Sequence, residues 1–174
     1  WHDMGTMYGH VIITGASSGF GMAFARRLVG ECAHMVLVAR RQDVLHELAD
    51  ELRAANSSLK VTVKACDLAS QPSRSALIEE LQALPEGKTL LINNAGLGDY
   101  GEYMSSTPER NNQMLQVNVL AVAELTRAVL PRLLTQGGGI INIASLAADL
   151  FIPDFAIYAA SKAFVASFSE AIRL

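Results

Sequence analysis

Apolar residues gather into short runs separated by longer amphipathic stretches. The runs at 10–14, 35–39, 60–65, 90–93 and 140–144 are rich in Val, Ile and Leu, as in strands covered on both faces. The stretches 21–31, 43–55, 72–84 and 109–134 carry helical patterns, and a last helix begins near Ala156. Strands alternating with helices require right-handed crossovers. The pattern therefore predicts an α/β fold, a doubly wound parallel sheet with helices on both faces and strand order 3-2-1-4-5. Gly137-Gly138-Gly139 reads as a turn ahead of the fifth strand. No repeat, linker or low-complexity segment breaks residues 9–174, which are read as one domain, with residues 1–8 as an extension in front of it.

Composition narrows the function classes. In 174 residues, 51% hydrophobic and 18% charged, there is enough apolar material for one sizeable core. A net charge of -3 gives no general electrostatic reason to bind nucleic acid. Cys32 and Cys66 lack metal-ligand spacing, and His2, His10, His34 and His46 are scattered with no acid cluster, so neither a metal site nor a disulfide is expected. A reducing, cytoplasmic compartment is the default. No apolar run reaches the length of a membrane span, and residues 1–8 lack a basic start and an apolar signal core.

Two motifs carry candidate chemistry. The first strand feeds into Thr14-Gly15-Ala16-Ser17-Ser18-Gly19-Phe20-Gly21 and then a helix. Gly15 permits a tight turn, Gly19 lets backbone approach a pyrophosphate, Gly21 lets the helix pack close to the strand, and the helix N-terminus offers unpaired N–H groups to phosphate. The second motif is Tyr158-Ala159-Ala160-Ser161-Lys162, whose spacing of about one helical turn puts phenol and ammonium on one face. The positive charge favours the phenolate and suits Tyr158 to general acid/base work. At the end of the second strand, where NAD-binding sites place an acidic residue, stands Ala39-Arg40-Arg41. No carboxylate lies between Val36 and Gln42, so Arg40, with Arg41 beside it, suits a 2′-phosphate, and NADP(H) is favoured over NAD(H).

With Asn93-Asn94-Ala95-Gly96, Asn118, Ser145 and Cys66-Asp67-Leu68 between them, these motifs resemble the short-chain dehydrogenase/reductase family over nearly the whole chain. The resemblance implies a Rossmann-type fold in which Ser145, Tyr158 and Lys162 form a catalytic triad, extended by Asn118 to a tetrad. It implies that Gly15, Ser17, Ser18, Gly19, Phe20 and Gly21 surround the cofactor diphosphate, that Asp67 and Leu68 lie near adenine, and that Asn94, Ala95 and Gly96 run along the ribose. Lys162 would also bond the nicotinamide ribose, with Asn118 holding a water that relays protons to it.

The reaction implied is interconversion of a small-molecule carbonyl compound and an alcohol by hydride transfer. Two other functions stay open: a cofactor-binding regulator or scaffold without turnover, and an isomerase, epimerase or dehydratase of the superfamily's extended branch. Family members usually continue past the point where this chain stops, so the C-terminal elements of the fold are read as missing, with the fifth strand an open edge. Leu146, Leu150, Phe151 and Ile152 suggest an apolar pocket wall. Relatives pair their last two long helices with a second subunit, and Leu115, Val119, Val122, Leu125, Val129, Phe164 and Phe168 at helical spacing would allow a homodimer or homotetramer here, although some of them must face the sheet.

Overall fold

The computed structural model of the chain describes residues 7–150 and 152–173. Five strands, β1 (Tyr8–Thr14), β2 (Cys32–Ala39), β3 (Lys60–Ala65), β4 (Thr89–Asn93) and β5 (Gly138–Asn142), form one sheet in the order β3-β2-β1-β4-β5, every neighbouring pair parallel. Among the described residues six α-helices cross between or follow them: α1 (Gly19–Arg27), α2 (Gln42–Ala55), α3 (Gln71–Gln82), α4 (Pro108–Leu115), α5 (Ala121–Gln136) and α6 (Ala156–Ala171). The doubly wound topology is the one the hydrophobic pattern predicts.

Successive strand residues point to opposite faces, which divides the core in two. Val11, Ile13, Met35 and Leu37 pack under α2 through Leu45, Leu48 and Leu52, with Ala25 of α1. Ile12, Val36, Val38 and Leu91 pack on the other face with Leu77 and Leu81 of α3 and Leu125 and Val129 of α5. Side-chain caps fix two helix starts. Ser70 Oγ accepts the Ser73 N–H at α3, and Thr107 Oγ1 accepts the Arg110 N–H at α4.

Several expected boundaries move. The first strand begins at Tyr8, which pairs with Cys32, so the extension read over residues 1–8 is shorter, and its first six residues lie outside the described ones. The fifth strand runs from Gly138 to Asn142 rather than 140–144, because Gly138 and Gly139 pair with Thr89 and Leu90. Those glycines belong to the ladder, and a residue without a side chain shows no period to read. The single helix expected over 109–134 is two, joined by a π-helical turn at Gln116–Leu120. Val122, Leu125 and Val129, counted among positions open to a second subunit, are buried, with Leu125 and Val129 set against the sheet. Leu115 stays exposed, and Phe164 stacks on Phe168 at 5.4 Å.

At the N-terminal ends of the strands, away from the glycine loop, His10 and His34 are buried side by side. His10 Nε2 lies 3.0 Å from the Pro85 carbonyl, which can only accept, so Nε2 carries the proton and Nδ1 is bare. His34 Nδ1 then donates to His10 Nδ1 across 3.2 Å, and His34 Nε2 accepts the Thr62 hydroxyl at 2.9 Å. Burial lowers the pKa of both rings, that of His34 to about 4.

Candidate active site

All five strands end on the same side, and the segments leaving β1, β2, β3 and β4 build one wall-lined cleft there. Gly15, Ser17, Ser18, Arg40, Arg41, Asp67, Leu68, Ala95, Gly96, Leu97 and Val117 line it, enclosing about 200 Å³. This is the crevice at the topological switch point where open α/β sheets bind ligands.

The glycine loop is fixed before any ligand arrives. Thr14 Oγ1 accepts the backbone N–H groups of Asn94 and Ala95, both at 3.0 Å. The Asn94 side-chain amide returns the contact, donating to the carbonyls of Thr14 (3.0 Å) and Gly15 (3.3 Å). Gly15 has φ +66°, and a Cβ on Gly21 would lie 2.3 Å from the Gly15 carbonyl oxygen, so neither position tolerates a side chain. Gly19 faces open space, and the α1 N-terminus has neither a side-chain cap nor an acidic residue in its first turn. Those N–H groups fit a phosphate. Phe20 is 72% exposed at the same helix start.

The two arginines differ. Arg41 folds back onto the loop, its Nη2 donating to the Ser17 carbonyl (2.8 Å) and to Ser17 Oγ (3.2 Å). Arg40 is exposed at the cleft and has no hydrogen-bond partner among the described residues. Across the cleft, Asp67 Oδ1 accepts the Ala69 N–H at 3.0 Å, which leaves Oδ2 for a ligand amine. Burial pushes the neighbouring Cys66 thiol up to about 11, so it is an inert wall residue rather than a nucleophile.

The second motif lies on α6, beside a second hollow lined by Asp99, Tyr100, Asn111, Met114, Phe155 and Tyr158. Lys162 is 5% exposed, and its Nζ donates to the Ile143 carbonyl just past β5 at 2.8 Å. Burial lowers the pKa of this ammonium. Nζ lies 6.0 Å from the centre of the Tyr158 ring, which has Phe155 at 5.7 Å, and Phe155 in turn lies 5.1 Å from Tyr100 in a tilted contact. Ser145, also just past β5, accepts the Ala147 N–H on its Oγ at 3.2 Å. Its hydroxyl proton is not used by that bond, but no direct bond to Tyr158 is made.

Asn118 is fully buried in the π-helical turn, a geometry that recurs at functional sites. Its Oδ1 accepts the Leu97 N–H, and its Nδ2 donates to the Leu97 carbonyl, both at 2.8 Å, and to Ser161 Oγ at 2.9 Å. Ser161 donates in turn to the Tyr158 carbonyl at 2.7 Å. Asn118 thus clamps the segment after β4 to α6. A Cβ on Gly96 would sit 3.3 Å from Lys162 Nζ and 3.6 Å from Asn118 Oδ1, so the glycine keeps the space between them open.

Every predicted site residue therefore lies on one side of the sheet, in two groups. The Asn94 side chain is committed to the glycine loop through the Thr14 and Gly15 carbonyls. Thr14 and Ser161 were not singled out in the sequence, although each sits inside a motif. Leu150 and Ile152 line an apolar groove with Ala147, Pro153 and Ala159, while Leu146 projects outward and Phe151 lies outside the described residues. Among the described residues no cluster of three or more His, Cys, Asp or Glu could hold a metal, and no helix is long and apolar enough to cross a membrane.

The fold is shared with known proteins. The chain is 35% identical over 164 residues to the ketoacyl reductase HetN of a Nostoc species, a match covering 94% of this chain and 56% of that protein. The fold superposes on a short-chain dehydrogenase from Sphingobium yanoikuyae in complex with NADPH with a TM-score of 0.87 at 34% identity, covering 94% of this chain and 64% of that one. It superposes on a Burkholderia phymatum short-chain dehydrogenase/reductase in complex with NAD with a TM-score of 0.85, again at 34% identity, covering 97% and 60%. The chain spans less than two thirds of each of these relatives. Residues 9–174 match the family model described as short chain dehydrogenase, and the chain belongs to the short-chain dehydrogenase/reductase family.

Proposed function

We propose that the protein is an NADP(H)-dependent oxidoreductase that interconverts a carbonyl compound and an alcohol, with Tyr158 as the general acid/base. The observation that carries this reading is the buried Lys162 ammonium one turn from Tyr158, with a single backbone acceptor among the described residues. Lysine is seldom buried without a counter-charge, and this one keeps two N–H donors for a ligand. A bound nicotinamide cofactor would supply or accept the hydride.

The residues divide the remaining work. Tyr158 gives its hydroxyl proton to the oxygen that gains charge on reduction, and takes it back on oxidation. Ser145, whose Oγ already accepts the Ala147 N–H, directs its own proton to the same oxygen and steadies the developing charge. Lys162 favours the ionised phenol and holds the ribose hydroxyls. Asn118 keeps one lone pair of Oδ1 toward the gap beside Gly96, where a water would link it to Lys162 and to solvent. Gly15, Ser17, Ser18 and Gly19 would take the diphosphate, Asp67 and Leu68 the adenine, and Arg40 a 2′-phosphate. A relative in complex with NADPH and another in complex with NAD share the fold, so Arg40 is the local feature that favours the phosphorylated cofactor.

The test is consumption of NADPH by the protein against a panel of ketones and aldehydes, with NADH in parallel and Tyr158→Phe as the control. Turnover that survives in Tyr158→Phe, or that is equal with both cofactors, contradicts the assignment of Tyr158 or of Arg40 respectively.

A further inference from the structure

Arg74 of α3 is 1% exposed, among the largest fully buried side chains in the molecule, and nothing in the chemistry above uses it. Arginine is almost never buried to this extent unless paired. Its Nε donates to Glu124 Oε2 at 2.8 Å and its Nη2 to Glu124 Oε1 at 3.4 Å, while Nη1 donates to the Leu68 carbonyl at 2.8 Å. The third contact sets it apart from a simple ion pair. Leu68 and Asp67 form one wall of the cleft, and the turn that carries them is closed by the Asp67 carbonyl accepting the Ser70 N–H and Asp67 Oδ1 accepting the Ala69 N–H.

Glu124 leads to a second lining segment of the cleft. It lies in the first turn of α5, which starts where the π-helical turn carrying Val117 ends, and Val117 lines the cleft together with Asp67 and Leu68 and shares an apolar cluster with Leu68. One buried guanidinium therefore ties the backbone of the Asp67-Leu68 segment to the helix that continues the segment carrying Val117. A planar fork with three directed bonds holds a spacing that a flexible ammonium or an apolar side chain does not.

We propose that Arg74, braced by Glu124, is a positioning residue for the adenine half of the dinucleotide: it fixes the Asp67-Leu68 segment relative to the segment that carries Val117. This rests on the dinucleotide reading of the cleft. Arg74 does not touch the ligand; it acts through the Leu68 carbonyl and the start of α5.

The test measures binding rather than turnover. Titration calorimetry with adenosine 2′,5′-bisphosphate and 5′-ADP reads the adenine half alone, and reduced nicotinamide mononucleotide reads the other half. Arg74→Met is expected to weaken adenosine phosphate binding about tenfold, Arg74→Lys and Glu124→Gln by about threefold each, with nicotinamide mononucleotide changed less than about twofold in all three. The two milder variants carry the test if Arg74→Met does not fold, and circular dichroism establishes which variants do. Equal weakening for both half-cofactors would show general loosening of the fold and overturn the proposal. So would unchanged adenosine phosphate affinity in folded Arg74→Lys and Glu124→Gln. Failure of the unmodified protein to bind either adenosine phosphate would remove the dinucleotide reading itself, and this proposal with it.

Discussion

Acidifying the protein from pH 8 to pH 5 is expected to lower its unfolding free energy by about 2 kcal/mol through His34 alone. In the unfolded chain an imidazole takes up a proton around its ordinary pKa of 6.5, whereas in the folded protein His34 does so only near 4. Between those values the unfolded state binds more protons, so stability falls as the pH falls, with a slope approaching about 1.4 kcal/mol per pH unit for each such ring. The shift has a local cause. Burial comes first, because the charged imidazolium loses its hydration among packed side chains, and the neighbouring His10 ring opposes charge as well. Lys60 opposes charge on both rings and Arg132 opposes it on His10, whose pKa is lowered as well and adds to the slope. Urea unfolding at a series of pH values should show the loss, and His34→Gln, which cannot titrate, should be less stable at pH 8 but shallower in its pH dependence. A variant with the same slope as the unmodified protein would refute the assignment of the acid sensitivity to this pair.

Other outcomes follow from the site. Tyr158→Phe should lower kcat by about 10² to 10⁴ while cofactor affinity measured by fluorescence titration stays nearly constant; Lys162→Ala should lower both. Arg40→Asp should weaken NADP(H) at least about tenfold and relatively favour NAD(H), read as the ratio of the two dissociation constants. Gly21→Ala places a methyl against the Gly15 carbonyl and should weaken both cofactors alike with a fall in Tm, so a cofactor-selective effect would contradict it.

The fold was legible because both faces of the sheet are covered, so β1, β2 and β4 read as apolar runs with helical stretches between them. What failed to show was local. Gly138 and Gly139 extend β5 without any side chain to announce it. The π-helical turn at Gln116–Leu120 leaves the apolar period almost unchanged, so α4 and α5 read as one helix and Asn118 became visible only through the family motif. The roles of Thr14, Ser161 and Arg74 lie in contacts to backbone or side chains remote along the sequence, and a residue's type does not reveal them. Arg40 and Arg41 are equivalent as letters. Only the geometry shows that Arg41 is held on the glycine loop by Ser17 while Arg40 stays open to the cleft.

The polar groups around the cleft sort by whether the protein completes their hydrogen bonding. Thr14, Asn94, Asn118, Ser161 and Arg74 are tied to named partners, and each joins segments that leave different elements: β1 to β4, β4 to α6, α3 to α5. A buried polar group with its partners in place resists movement, since any shift would strand a donor or an acceptor. Lys162, Arg40, the Ser145 hydroxyl and the α1 N–H groups keep donors that no described residue takes up. The Arg40 and α1 donors lie at the cleft, and the Lys162 ammonium lies beside Gly96, which lines it, so the positive charge and N–H groups there match a ligand bearing phosphates and ribose hydroxyls. The first group therefore sets the positions of the second. Because the first of these groups is already satisfied within the chain, the cofactor binding proposed above would have little reorganisation to offset.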